Sequence, residues 1–213
     1  NNVAGIGRDD DSCFEQKQSK SVNSSSIITM GIGAIATSNA TNTNSFSADD
    51  SFLIWGSDGS DPNSAAITTQ LPGTVTERMD PIWRVQETGT VEDVAVSFDL
   101  SGLTNYSSRV ASDFQLIIAS SGETMPDLSA ASTYSGGTFN GDVLTFSNVD
   151  FSDGDYFTLG TARSSCSPGG VSANLELWLR GDEGTSETVD GDTVSSWLDQ
   201  SGNVFNASAT GLG

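Results

Sequence analysis

The chain reads as short apolar runs broken by small and polar residues, with almost no helical period. The clearest run is Val94-Ala95-Val96-Ser97-Phe98-Asp99-Leu100. Its period of two sets Val94, Val96, Phe98 and Leu100 on one strand face, which is predicted to be buried. Comparable runs predict strands over residues 3–7, 27–35, 52–56, 82–87, 91–100, 114–119, 143–149 and 156–161. Phe139-Asn140-Gly141-Asp142 carries the Asn-Gly pair of a type I′ hairpin turn. Ser152-Asp153-Gly154-Asp155 reads as the next turn. Together they predict a meander of neighbouring antiparallel strands. Many short strands at this spacing predict an all-β fold, an antiparallel β-sandwich of Greek-key or meander type.

The rhythm breaks at Ser165-Cys166-Ser167-Pro168-Gly169-Gly170. This places a sandwich domain over residues 1–163, a linker over 164–172 and a separate segment over 173–213. In that segment Leu175, Leu177 and Leu179 alternate with Glu176, Trp178 and Arg180, which predicts a C-terminal extension strand. The rest of the segment is mostly turn residues around Trp197 and Leu198.

Charge narrows the function classes. The chain has 28 acidic and 8 basic residues, a formal net charge of -20. That field repels a phosphate backbone and an anionic membrane surface, and it attracts divalent cations. Histidine is absent, which removes a Ser-His-Asp triad, a Cys-His dyad and His-ligated metal sites. The lysines are Lys17 and Lys20, and neither lies in a Gly-rich phosphate loop. No apolar run approaches the ~18 residues of a membrane-spanning helix, so no membrane insertion is expected. Residues 1–11 are polar and lack the apolar stretch of a signal peptide.

Val3-Ala4-Gly5-Ile6-Gly7-Arg8-Asp9-Asp10 and Gln16-Lys17-Gln18-Ser19-Lys20-Ser21-Val22-Asn23 resemble a β-domain of unknown function found in very large multidomain bacterial surface proteins. Phe52-Leu53-Ile54-Trp55-Gly56, Trp83-Arg84-Val85-Gln86-Glu87-Thr88-Gly89 and Tyr156-Phe157-Thr158-Leu159-Gly160 extend that resemblance over about residues 1–163. Leu175-Glu176-Leu177-Trp178-Leu179-Arg180 and Trp197-Leu198-Asp199-Gln200-Ser201-Gly202-Asn203 resemble the opening of a laminin-G or concanavalin A-like jelly roll. The resemblance implies a secreted, extracellular or cell-surface protein. In that setting Cys13 and Cys166 are expected to form a disulfide, closing a loop of about 150 residues and adding ~4–5 kcal/mol. Three readings of the tail stand side by side: a remnant of a neighbouring module, a strand that completes the first domain's sheet, or a strand donated to another subunit through Leu175, Leu177, Trp178 and Leu179.

Acidic loops are the candidate chemistry. Asp9, Asp10 and Asp11 adjoin a strand end, Asp58 and Asp61 share a Gly-rich loop, and Asp150, Asp153 and Asp155 surround the second turn. Asp190 and Asp192 flank Gly191. Carboxylates among glycine turns supply hard oxygen ligands, so Asp9, Asp10, Asp58 and Asp61 are the expected Ca²⁺ ligands; the plain alternative is that Asp, Asn and Gly simply form turns. None of these loops matches a twelve-residue calcium loop. Trp55, Trp83, Trp178 and Trp197 are read either as sugar-stacking platforms or as core. Lys17 or Lys20 bonded to an asparagine by an isopeptide is weighed against two solvated lysines. The sequence therefore predicts a non-catalytic structural or adhesin module, a carbohydrate-binding module being the alternative. The expected partners are neighbouring copies, adjacent domains or a glycan.

Overall fold

The computed structural model describes residues 2–103, 106, 109–122, 125–162, 176–181, 184–187, 189, 191–199, 201 and 205–209. The chain divides into two units, Asn1–Ala162 and Arg163–Gly213. The first is an all-β antiparallel sandwich. Its strands are β1 (Val3–Asp9), β2 (Phe14–Gln16), β3 (Gln18–Lys20), β4 (Ile28–Ile32), β5 (Ser51–Ser57), β6 (Val75–Arg78), β7 (Trp83–Thr88), β8 (Val94–Asp99), β9 (Phe114–Ala119), β10 (Ser132–Tyr134), β11 (Thr138–Asn140), β12 (Val143–Val149) and β13 (Tyr156–Ala162). No α-helix occurs among the described residues.

The larger sheet runs β10-β9-β13-β7-β5-β1-β2, with β6 also on β13; the smaller runs β11-β12-β8-β4-β3. The chain passes between them after β2, β4, β7, β8, β10 and β12. The predicted meander is therefore corrected. β11 and β12 do form a hairpin, but β12 and β13 lie in different sheets. The turn at Ser152–Asp155, closed by Asp155 N–H on Ser152 O at 3.1 Å, is a corner from one sheet to the other. The hairpin turn also differs. Asn140 pairs with Val143, so Gly141 and Asp142 are its central residues. Gly141 has φ +59 and Asp142 does not share a positive φ, which fits a Gly-first type II′ turn.

The apolar positions fill the space between the sheets. Ile6, Leu53, Trp55, Trp83, Val85, Phe157 and Leu159 meet Ile28, Met30, Val94, Val96, Phe98, Leu144 and Phe146. Trp83 stacks on Phe157 at 5.6 Å and meets Phe98 edge-on at 6.0 Å. Each such side chain contributes about 1.5–3 kcal/mol on burial. Val94, Val96, Phe98 and Leu100 are buried as their alternation requires, and Ala95 and Ser97 on the opposite face are buried too. The strand expected to 35 stops at Ile32, because Gly33 takes φ +63 and Ala34 N–H turns back onto Ile32 O at 2.6 Å.

Both lateral sides of the sandwich are closed by chain that starts in one sheet and ends in the other. On one side β2 leaves the larger sheet and β3 enters the smaller across Lys17. Asn39 satisfies that corner: its Oδ1 accepts from Lys17 N–H at 2.5 Å and Gln18 N–H at 3.3 Å, and its amide donates to Glu15 O at 3.0 Å. The buried Asn42 donates to Ile32 O and Ala34 O and accepts from Asn44. On the other side β10 passes to β11 through Gly136 and Gly137. These four edge strands have three residues each. They are short and polar, which is why no alternation revealed them.

Candidate functional site

Two surfaces of the first unit carry functional groups. The first is its tip. β1 ends at Asp9 beside the start of β5, with Arg8 opposite Ser51, so the turn after β1 and the loop before β5 meet there. One carboxylate oxygen from each of Asp9, Asp49 and Asp50 lies within 4.8 Å of the others. Asp49 Oδ1 accepts from the N–H groups of Asp10 at 2.7 Å and Asp50 at 2.9 Å. Asp50 takes φ +51. The Asp49 carboxylate, then burial, then Asp9 push the Asp50 carboxyl above its ordinary range. A hydrogen bond from the Ser12 hydroxyl holds Asp9 below it. Asp10 is also held low, by Arg8, whose guanidinium donates to both its oxygens at 2.8 and 2.7 Å.

The structure thus separates the expected ligands. Asp9 joins Asp49 and Asp50, whereas Asp10 is spent on Arg8. Asp58 accepts from Ser60 N–H at 2.9 Å and Ile82 N–H at 3.2 Å, and Asp61 accepts from Asn63 N–H at 2.9 Å. Both organise their own loop, and neither joins a group of three carboxylates among the described residues. Asp153 accepts from Glu87 N–H at 3.0 Å and Asp155 from Ser152 N–H at 2.9 Å, fixing the corner after β12. Asp190 lies outside the described residues. Sequence reasoning missed Asp49 and Asp50; an acidic pair directly before the apolar run of β5 was the available signal.

The tryptophans divide as well. Trp55 is 1% and Trp83 3% exposed, so both are core and neither can stack a sugar. Lys17 donates to Asn42 O at 3.3 Å near Glu15, and Lys20 pairs with Asp99 at 3.3 Å. The side chains of Asn39 and Asn42, which lie by Lys17, are engaged with backbone groups rather than offered to it for an isopeptide.

Cys13 sits in the turn beyond β1, at φ +55, with an exposed free thiol. Cys166 lies outside the described residues. β1 is antiparallel to β5, β5 to β7 and β7 to β13, so β13 runs back toward the end where β1 begins. Cys13 is therefore at the opposite end of the sheet from Ala162.

The second surface is the outer face of the larger sheet. Val3, Gly56, Arg84 and Tyr156 lie in one row across β1, β5, β7 and β13; Gly5, Ile54 and Gln86 form the next, and Gly7, Phe52 and Thr88 another. Large side chains lie over the glycines. A Cβ on Gly7 would meet Phe52 Cδ1 at 2.4 Å, and one on Gly5 would meet Ile54 Cγ1 at 3.2 Å. The glycines of the Val3–Asp10 motif thus make room for the outward residues of the Phe52–Gly56 motif. A groove of about 440 Å³ lies here.

In the second unit, the expected strand is not found in its described part. Glu176, Leu177, Trp178 and Leu179 are irregular, and Leu177 is exposed; Leu175 lies outside the described residues. Order comes instead from Asp199, which accepts from Trp178 N–H at 2.9 Å, Ser201 N–H at 2.8 Å and Phe205 N–H at 3.0 Å, and from the Ser201 hydroxyl at 2.7 Å. Burial raises its pKa, but the Ser201 hydroxyl and these N–H groups outweigh that and hold it at about 2. Trp197 and Ser196 pair with Ala207 and Ser208 in a small two-stranded sheet.

No curated protein and no solved structure matches this chain. A family profile does, over residues 1–155, most of the 213. The chain belongs to the family described as a domain of unknown function, DUF8202.

Proposed function

We propose that the first unit is a non-catalytic display module of an extracellular, adhesin-like surface protein. One observation carries this reading: β1 and β13 are antiparallel, so chain enters and leaves the sandwich at the same end. A module held in that way projects from the chain and presents the opposite end, where Asp9, Asp49 and Asp50 gather. The acidic side chains away from the tip support this reading, because Asp58, Asp61, Asp153 and Asp155 organise turns and corners. Assembly by strand donation receives little support, since the described part of the tail is irregular. Ca²⁺ at the tip is part of the proposal: a divalent cation relieves the repulsion that Asp49 exerts on Asp50.

Labelling of intact producing cells with a membrane-impermeant maleimide tests it. Modification of Cys13 on whole cells, equal to that in lysates, is expected. Modification only after lysis overturns the surface assignment.

A further inference from the structure

We propose that the open half of the larger sheet's outer face binds a neutral saccharide. The groove of about 440 Å³ is within the size range of small-ligand sites. Gly56 gives its floor little relief, and the side chains around it are Val3, Ile54, Ser57, Arg84, Gln86 and Asp153. Val3 and Ile54 are 56% and 44% exposed and supply apolar contact area beside the groove.

The polar groups suit hydroxyls. Arg84 is exposed and, among the described residues, forms no ion pair. Its guanidinium lies over the Tyr156 ring, 5.6 Å from the centroid, so it is held in place with its N–H donors uncommitted. Gln86 offers an amide donor and acceptor. Asp153 spends one oxygen on Glu87 N–H and keeps the other. Hydrogen bonds between the corner and β7, Gly154 N–H on Val85 O at 3.0 Å and Val85 N–H on Asp155 O at 2.8 Å, fix Asp153 beside the groove. Donors and acceptors thus stand on a rigid sheet beside apolar contact area, the combination that pairs with the alternating hydroxyl and C–H surface of a sugar.

Charge selects the class. Arg84 and Asp153 balance, so the groove itself is neutral, while the chain's net charge of -20 repels an acidic polymer. A neutral hexose-based oligosaccharide fits; a uronic-acid chain does not.

The test is amide-shift titration of the full chain with a panel of neutral oligosaccharides and with a uronic-acid oligomer. Shifts confined to β1, β5, β7 and the corner are expected, with a dissociation constant of roughly 0.1–1 mM and a tenfold or greater weakening in Arg84→Ala and Gln86→Ala. Both residues are exposed, so the variants should keep the parent melting midpoint. No shift up to about 10 mM neutral sugar, or unchanged binding in both variants, overturns the proposal. So does preference for the uronic-acid oligomer. Shifts at this face that depend on protein concentration alone overturn it in favour of a second copy as the occupant.

Discussion

The larger sheet has two outer halves built by different rules. Over β9 and β13 the outward face is covered: Ile117, Ala119, Val75, Ile82 and Leu128 bury one another there, with Thr158 buried beside them. Over β1, β5 and β7 the outward residues are Gly5, Gly7, Ile54, Arg84 and Gln86, and the face is open. One sheet can thus be core on both sides at one half and surface at the other. The difference lies in the outward residues, since the inward faces of both halves belong to the same core.

The largest effect should come from the covered half. Leu128→Ala and Ile117→Ala each remove a fully buried side chain and should cost about 2–5 kcal/mol in denaturant unfolding. Ile54→Ala in the open half should stay within ~0.5 kcal/mol of the parent. Equal costs would erase the distinction. Gly7→Ala should come next, at about 1–3 kcal/mol, because the new methyl meets Phe52 and Ser51 O at 2.9 Å. Gly7→Ala combined with Phe52→Ala should recover part of that loss; no recovery would mean that the backbone contact dominates.

Smaller effects sharpen the contrast between the tip and the second unit. Asp199 has a depressed pKa, so its stabilisation is complete above the unfolded value near 3.9 and is lost as pH falls toward about 2. Near-ultraviolet circular dichroism should show Trp178 and Trp197 losing their fixed environment over that window, and Asp199→Asn should lose it at neutral pH. Asp50 shifts the other way. Its raised pKa means that ionisation costs stability at neutral pH and that the cost disappears as pH falls through the folded value. Asp50→Asn, which tolerates the positive φ, should raise the melting midpoint slightly. The parent should gain a higher midpoint with Ca²⁺ and lose it with chelator, and Asp50→Asn should respond to neither. An unchanged parent midpoint would remove the cation from the account.

Much of the sandwich was legible because its long strands alternate. The runs at 114–119 and 143–149 match β9 and β12 to the residue. The edge strands were not legible, because Gln18-Ser19-Lys20 and Ser132-Thr133-Tyr134 have no apolar face to announce them. Their pairing is set by neighbours and by Asn39, which is distant in sequence. Sheet membership was likewise hidden: a Gly turn makes a hairpin at Gly141 and a corner at Gly154, and only the packing of β12 and β13 decides which. Of the expected ligands, Asp9 lies in an acidic group whose other members, Asp49 and Asp50, come from a loop forty residues away. Carboxylates close in sequence were mostly consumed by their own turns.

The central claim, that chain enters and leaves the sandwich at one end and the tip lies at the other, is tested most directly by dipolar distance measurements between spin labels. One pair joins Val3→Cys to Ala162→Cys in a Cys13→Ser, Cys166→Ser background; the other joins native Cys13 to Ala162→Cys with Cys166→Ser. Strand rise and spacing predict roughly 25 Å for the first pair and about 40 Å for the second. A second distance equal to or shorter than the first would place the tip beside the exit of β13 and contradict the account.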